Sequence, residues 1–166
     1  MAVPPVIAVR AAVAGDVALI LAFIRELAEY EQLSNEMVAD ETGLAAQLFG
    51  ERPRAEVLIA EIDGAAAGFA LFFHNFSTFV GKPGLYLEDL FVRPTFRGLG
   101  LGKRLMLRLA QIAIERDCGR FEWSVLDWNQ PAIDFYRSLG AVGMDAWTMQ
   151  RVSGDALQTL AAHSID

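Results

Sequence analysis

Cysteine, histidine and positive charge are all scarce in this chain of 166 residues. Its single cysteine, Cys118, excludes an intrachain disulfide and a zinc site built from several cysteines. The two histidines, His74 and His163, lie far apart in the sequence, so we predict no metal site. Acidic residues outnumber basic ones by 21 to 14, and this net charge of −7 argues against nucleic acid as a partner, because such binding depends on neutralising phosphates.

Long apolar runs are also missing, although 54% of the residues are hydrophobic. No run approaches the roughly 18 residues that suggest a membrane-spanning helix, and no basic region precedes an apolar segment as in a signal peptide. We therefore predict a cytoplasmic protein that does not bind membranes. The length suits one hydrophobic core, and we predict a single domain over residues 1–166.

The most informative stretch runs from Leu85 to Leu109. Leu85–Val92 is mostly apolar and predicts a buried strand, which Arg93-Pro94 would end because proline has no N–H for a β-ladder. A run rich in glycine follows, and then apolar residues recur at helical spacing: Leu101, Leu105, Leu109 and Ile112. A strand that leads through a glycine turn into a helix is suited to binding phosphate, because the first helical N–H groups have no acceptor of their own. The spacing fits neither a dinucleotide fingerprint nor a nucleoside-triphosphate loop.

The other hydrophobic patterns predict an α/β domain with the order β-α-α-β-β-β-α-β-α-β. The other predicted strands are Val6–Ala11, Val57–Ile62, Ala67–Phe76, Phe121–Val125 and Val142–Met149. The other predicted helices run from Asp16 to about Glu31, over Thr42–Phe49, over Asn129–Leu139 and over Val152–Ala162. Asp63-Gly64 is typical of a hairpin turn, and Asn75–Gly84 predicts a loop.

Two adjacent carboxylates, Glu88 and Asp89, interrupt the predicted buried strand. A charge in such a position is costly unless it is paired, so a purely structural role for both is unfavourable. Neighbouring residues on a strand point to opposite faces, and both side chains can therefore enter one site only if the strand is bulged there.

The run Arg97-Gly98-Leu99-Gly100-Leu101-Gly102 resembles the R-x-x-G-x-G/A signature of the GCN5-related N-acetyltransferases (GNAT). Asn129–Tyr136 and Leu139-Gly140-Ala141 fall where that superfamily has further motifs. The resemblance implies acetyl-CoA as cosubstrate. It also implies a mixed, mostly antiparallel sheet of about six or seven strands, flanked by helices and containing a splayed central parallel pair.

Leu85–Val92 is similar more narrowly to the central strand of the diamine (spermidine/spermine and thialysine) N-acetyltransferases. The similarity extends to Glu26–Glu31, the Asn75–Gly84 loop, Leu126–Asn129 and Trp147. It implies a small cationic primary amine as acceptor, direct attack of that amine on the thioester, and a homodimer.

The resemblance also implies roles for individual residues. The coenzyme would be contacted through its pantetheine arm by Leu90, Phe91 and Val92, through its pyrophosphate by Arg97, Gly98, Leu99, Gly100, Leu101, Gly102 and Lys103, and elsewhere by Asn129 and Tyr136. The acceptor amine would be bound by Tyr30, Glu31, Phe79, Glu88, Asp89 and Trp147. Glu88 would also act as general base through water, and Tyr136 as general acid towards the departing thiolate. A phenol of pKa about 10 can protonate a thiolate of pKa about 8.5 at modest cost.

The predicted acceptor is not fixed to one compound. Phe79 stands where the branch often has tryptophan, and the Asn75–Gly84 loop lacks the acidic residue of the polyamine enzymes, so a diamine, thialysine or a lysine-like amino acid is at least as favourable as a long polyamine. Two alternatives remain open. One is acetylation of another amine class, such as a protein N-terminus or lysine, an amino acid or an aminoglycoside. The other is a non-catalytic acyl-CoA-binding module, against which the joint presence of Glu88 and Tyr136 counts.

Overall fold

A computed structural model describes residues 4–164 of the chain, which divide into two compact units, one that ends at Ser124 and one that begins at Val125. The first unit contains strands β1 (Ile7–Ala11), β2 (Glu56–Ile62), β3 (Ala65–Ser77), β4 (Lys82–Val92) and β5 (Arg120–Trp123), with helices α1 (Val17–Tyr30), α2 (Glu41–Phe49) and α3 (Leu101–Glu115). The second unit contains helices α4 (Gln130–Ser138) and α5 (Gly154–Ala161). The single domain over residues 1–166 stays a prediction.

The five strands form one mixed sheet in the order β1-β2-β3-β4-β5. The first four are antiparallel to their neighbours, whereas β5 pairs with β4 in parallel across the α3 connection, as the sequence predicted. Asp63 and Gly64 both have positive φ, 49° and 80°, which is the backbone of a tight β-hairpin turn between β2 and β3. The α/β class is therefore confirmed, with five strands within residues 4–164 rather than the predicted six or seven.

The apolar faces of the sheet are covered by helices, which explains the amphipathic patterns in the sequence. Helix α1 buries Ile20, Phe23 and Leu27, and the Phe23 ring stacks on Phe69 of β3 with 5.2 Å between centroids. Helix α3 buries its own stripe of apolar residues, among them Leu101, Leu105 and Leu109. Residues alternate between the two faces along each strand, so each helix meets a different set of strand side chains.

The predicted loop at residues 75–84 is wrong. Asn75 pairs with Gly84 and Phe76 with Pro83, so both strands extend further and only residues 78–81 form the connection. Proline and glycine clusters usually indicate a loop. Here Pro83 lies within β4 because its carbonyl can still accept a hydrogen bond, which the Gly119 N–H donates at 2.8 Å.

The predicted last strand at residues 142–149 is absent from the structure, which shows a turn at residues 145 and 146 within otherwise irregular chain. An apolar alternation indicates a strand only where a neighbouring strand supplies backbone partners, and none pairs with this segment among residues 4–164. None of the described helices is long and apolar enough to cross a membrane.

Candidate active site

A β-bulge at Glu88 divides β4 into two halves. Leu87 lies opposite Phe72 of β3, whereas Asp89 lies opposite Leu71, so Glu88 is the extra residue in the ladder. Phe91, beyond the bulge, packs into the core on the α1 side of the sheet, and Asp89 shares its face. Leu87, before the bulge, is on the opposite face. The condition under which both carboxylates can enter one site, a bulge in the strand, is therefore met.

The bulge places Asp89 near two other carboxylates. Asp89 is partly buried, and burial raises its pKa from 3.8 to about 7, with the negative charges of Glu88 and Glu31 adding to the rise. Glu31 follows the last residue of α1, and burial raises the pKa of its carboxyl group as well. Asp89 has neither a hydrogen bond nor an ion pair to any residue in the described part of the chain. An acidic site of this kind favours a bound cation or a bound proton.

One backbone edge of β4 becomes available just beyond these carboxylates. The parallel pairing with β5 ends at Leu87 and Trp123, while Asp89 to Val92 continue to pair with β3. Backbone groups on the side away from β3 can therefore bind an extended ligand by hydrogen bonds. This is the arrangement that backbone contacts to a pantetheine arm require.

The glycine turn after β4 can accommodate phosphate. Gly98 and Gly100 each have a φ of 79°, a left-handed conformation that favours glycine, and no heavy atom lies within 4 Å of where a Cβ would be. The first bond into the helix runs from the Arg104 N–H to the Gly100 carbonyl at 3.0 Å. The N–H groups at the start of α3 thus remain for an anion, beside the exposed Lys103.

Arg97 stands at the entrance of this turn. Its Nε donates to the Val92 carbonyl at 2.9 Å, and its guanidinium carbon lies 4.9 Å from the centre of the Tyr30 ring. The structure places the Tyr30 ring against Arg97 of the glycine turn, and its predicted contact with the acceptor amine stays a prediction. Leu99, between the two glycines, is half-exposed.

The sequence reasoning did not assign a function to Arg93. Its guanidinium forms two short hydrogen bonds with the Glu26 carboxylate, at 2.8 and 2.9 Å, and a third with the Ala66 carbonyl. It also lies over the Phe23 ring at 4.6 Å. In the sequence, an arginine directly after a buried strand and an acid on the first helix were the features that could have indicated this ion pair. These contacts fasten the end of β4 to α1.

Phe79 is not brought to the carboxylates. It is 92% exposed in the β3–β4 connection, and Glu88 lies six residues after Lys82, which places the bulge about 20 Å from the start of β4. Its role in binding the acceptor stays a prediction.

The second unit carries the remaining predicted residues. Asn129 is buried and caps α4, since its side-chain oxygen accepts a hydrogen bond from the Ala132 N–H at 3.4 Å. Tyr136 is half-buried on the same helix, and Trp147 is 76% exposed. Their catalytic and binding roles stay predictions. Within residues 4–164 no group of three or more acidic, histidine or cysteine side chains could hold a metal ion.

A glycine turn suited to phosphate, an open strand edge and an acidic site thus follow one another along β4 and its continuation, and comparison with known proteins shows the class of protein to which they belong. Residues 22–141 match the model of the acetyltransferase (GNAT) family. The chain belongs to this family of N-acetyltransferases.

The resemblance to the diamine and thialysine branch is also confirmed. The chain is 38% identical to the thialysine N-epsilon-acetyltransferase of Sus scrofa, over 92% of this chain and 96% of that protein. It is 34% identical to the L-ornithine N5-acetyltransferase of Arabidopsis thaliana, over 92% and 86%. Among solved structures, an integron cassette protein from the mobile metagenome of V. cholerae is 31% identical with a TM-score of 0.79, over 95% and 98% of the two chains.

Proposed function

We propose that this protein transfers the acetyl group of acetyl-CoA to a primary amine of a small cationic molecule. The preferred acceptors are amino acids with a terminal side-chain amine, such as thialysine and ornithine, and short diamines. The activities for which the relatives from Sus scrofa and Arabidopsis thaliana are named support this choice, because thialysine and ornithine are both amino acids.

The observation that carries the proposal is the acidic site at the bulge of β4. Asp89 is partly buried beside Glu31 and Glu88, and it has no cationic partner among the described residues. An alkylammonium group would supply the missing positive charge. The open edge belongs to β4, and the glycine turn follows β4 directly in the chain. The open edge suits the pantetheine arm of the coenzyme, and the glycine turn suits its pyrophosphate.

The proposed reaction begins with removal of a proton from the bound ammonium group. An alkylamine has a pKa near 10.4, so only about one molecule in 10³ is neutral at pH 7, and supplying the neutral form costs roughly 4–5 kcal/mol. Glu31 and Asp89 hold the ammonium group, and Glu88, which is exposed, accepts a proton through water. The raised pKa of Asp89, about 7, also suits it to exchange a proton at neutral pH.

The neutral amine then attacks the thioester carbonyl directly. A carbon–nitrogen bond forms, the carbon–sulfur bond breaks, and the electron pair of that bond leaves with sulfur as a thiolate. The proposal assigns proton donation to that thiolate to the Tyr136 hydroxyl, on the strength of its motif position. The nitrogen releases its second proton to water, and water returns a proton to Tyr136. The products are the N-acetyl amine and coenzyme A.

An amine panel with acetyl-CoA tests the proposal, with thiol release as the readout. Thialysine, lysine, ornithine, putrescine and spermidine are compared with an aminoglycoside and a peptide with a free N-terminus. We expect the highest kcat/KM for the amino acids and the short diamine. Faster turnover of the peptide or the aminoglycoside would favour the alternative amine classes. Acetyl-CoA binding without turnover of any amine would favour the non-catalytic module.

The predicted homodimer and cytoplasmic location form part of the same proposal. Four apolar side chains in the second unit are between 61% and 81% exposed: Val142, Met144, Trp147 and Met149. Apolar surface of this kind supports contact with a second copy. Light scattering coupled to gel filtration should give twice the chain mass of 18.2 kDa, and a monomer at micromolar concentration would contradict the dimer.

A further inference from the structure

Two contacts join α1 to the turn between β4 and α3. Glu26 and Tyr30 lie one helical turn apart on α1, and Arg93 and Arg97 are likewise four residues apart. The Glu26 carboxylate binds the Arg93 guanidinium through both oxygens, and the Tyr30 ring lies beneath the Arg97 guanidinium at 4.9 Å. The first contact fixes the strand end, and the second reaches the residue that opens the glycine turn.

Arg97 is held in a way that leaves its outer nitrogens available. Its Nε is used by the Val92 carbonyl at 2.9 Å, while the two terminal nitrogens bond to no residue among those that the structure describes. A cavity of about 280 Å³ adjoins it, lined by Glu26, Glu29, Tyr30, Phe91, Pro94 and Arg97. Glu29 shares this cavity without forming an ion pair with Arg97 in the described chain.

We propose that Tyr30 is a positioning residue for the coenzyme, whose ring holds the Arg97 guanidinium so that its terminal N–H groups face a phosphate at the glycine turn. This inference rests on the proposed function. It moves Tyr30 from the acceptor amine, where the sequence resemblance placed it, to the coenzyme.

The physical basis is restriction of a flexible cation before the ligand arrives. A free arginine side chain samples many rotamers and loses that freedom when it binds phosphate. An aromatic ring attracts the face of a guanidinium, while the donors in its plane stay free for two parallel hydrogen bonds to phosphate oxygens. The coenzyme therefore meets an arginine that is already oriented.

The contact is separate from the packing that holds the turn in place. Tyr30 is 38% exposed and Arg97 is exposed, whereas the turn is fastened to α1 by the partly buried Glu26–Arg93 pair. Removing the ring should therefore change coenzyme affinity with little effect on folding.

The test measures the Kd of coenzyme A by calorimetry for the full chain and its variants. Tyr30→Leu removes the ring, and we expect about a three- to tenfold weaker Kd. Tyr30→Phe keeps the ring and should restore wild-type affinity. Phe76→Leu, which removes another exposed ring of the first unit, is the matched control and should change nothing. Thermal unfolding of each variant checks that the fold is intact.

Two further measurements assign the effect to Arg97 and to the phosphates. Tyr30→Leu should have no added effect on Kd in an Arg97→Gln background, because the cation is already gone. It should also raise the KM for acetyl-pantetheine, which lacks the pyrophosphate, less than it raises the KM for acetyl-CoA.

The inference is overturned if Tyr30→Leu leaves the Kd of coenzyme A unchanged, if Tyr30→Phe loses as much affinity, or if the loss is additive with Arg97→Gln. A higher KM for the amine with an unchanged Kd for coenzyme A would return Tyr30 to the acceptor. If the wild-type chain binds no coenzyme A at all, the proposed function fails together with the inference, whereas normal wild-type binding with unaffected variants removes the inference alone.

Discussion

Replacing Asp89 by asparagine should make the protein more stable at pH 8 while reducing its activity. Asp89 carries a partly buried carboxyl whose pKa is raised from 3.8 to about 7 by burial and by the charges of Glu88 and Glu31. Above pH 7 the folded protein must keep this group ionised in an unfavourable place. Asparagine has nearly the same shape and no charge, so the variant avoids that cost.

The size of the effect follows from the pKa difference. A rise of about three units corresponds to about 4 kcal/mol, at 1.36 kcal/mol for each unit. Because Asp89 keeps part of its surface in solvent, screening reduces this figure, and we expect the variant to be about 2 kcal/mol more stable at pH 8.

The pH dependence has a definite sign. Between pH 4 and pH 7 the unfolded chain has already released the Asp89 proton while the folded protein still holds it, so the wild-type free energy of unfolding falls through this interval as pH rises. The stability difference between Asp89→Asn and wild type should therefore be near zero at pH 4, grow towards pH 7 and stay constant above it.

Urea unfolding of both proteins at several pH values measures this difference. Glu51→Gln is a matched control for the loss of one negative charge, because Glu51 is an exposed acid for which the structure shows no hydrogen bond or ion pair within residues 4–164. A stability difference for Asp89→Asn that is the same at pH 4 and pH 8 would refute the argument, since it would mean that the Asp89 pKa is not raised on folding. Thiol release assays on the same samples should show reduced turnover.

Three further changes probe other parts of the molecule. Glu26→Gln removes the two-pronged pair with Arg93 and should lower the free energy of unfolding by about 1–2 kcal/mol in urea titrations; no change would show that the pair does not hold β4 to α1. Gly100→Ala forces a side chain into φ 79° and should cost about 1–2 kcal/mol of stability and weaken coenzyme A binding in calorimetry, so full retention of both would argue against the phosphate turn. Tyr136→Phe should lower kcat at least tenfold with coenzyme affinity retained, and an unchanged kcat would remove this hydroxyl from the mechanism.

The features that the sequence predicted well are those determined by residues that are neighbours in the sequence. The hairpin at Asp63-Gly64 and the glycine turn after β4 depend on backbone conformations that few other residues adopt, so their chemistry is visible in the sequence. The bulge at Glu88 was not itself predicted: the sequence indicated only that both carboxylates can enter one site if the strand is bulged there, and the structure meets that condition.

The features that the sequence did not predict depend on partners distant in the chain. The stacking of Tyr30 on Arg97 and the proximity of Glu31 to Asp89 arise only when α1 packs across the sheet. The missing strand at residues 142–149 shows the same limit, since alternation of apolar residues says nothing about whether a neighbouring strand is available.

The extra residue at Glu88 also shifts the alternation of side chains along β4 by one position. Odd-numbered positions before it, such as Leu85 and Leu87, point to one face of the sheet, while the odd-numbered Asp89 and Phe91 after it point to the other. Deleting Glu88 would therefore remove the bulge and leave Leu87 and Asp89 as ordinary strand neighbours on opposite faces, with Phe91 still in the core that it shares with α1. The bulge thus adds one carboxylate beside Asp89 without disturbing the packing of either half of the strand.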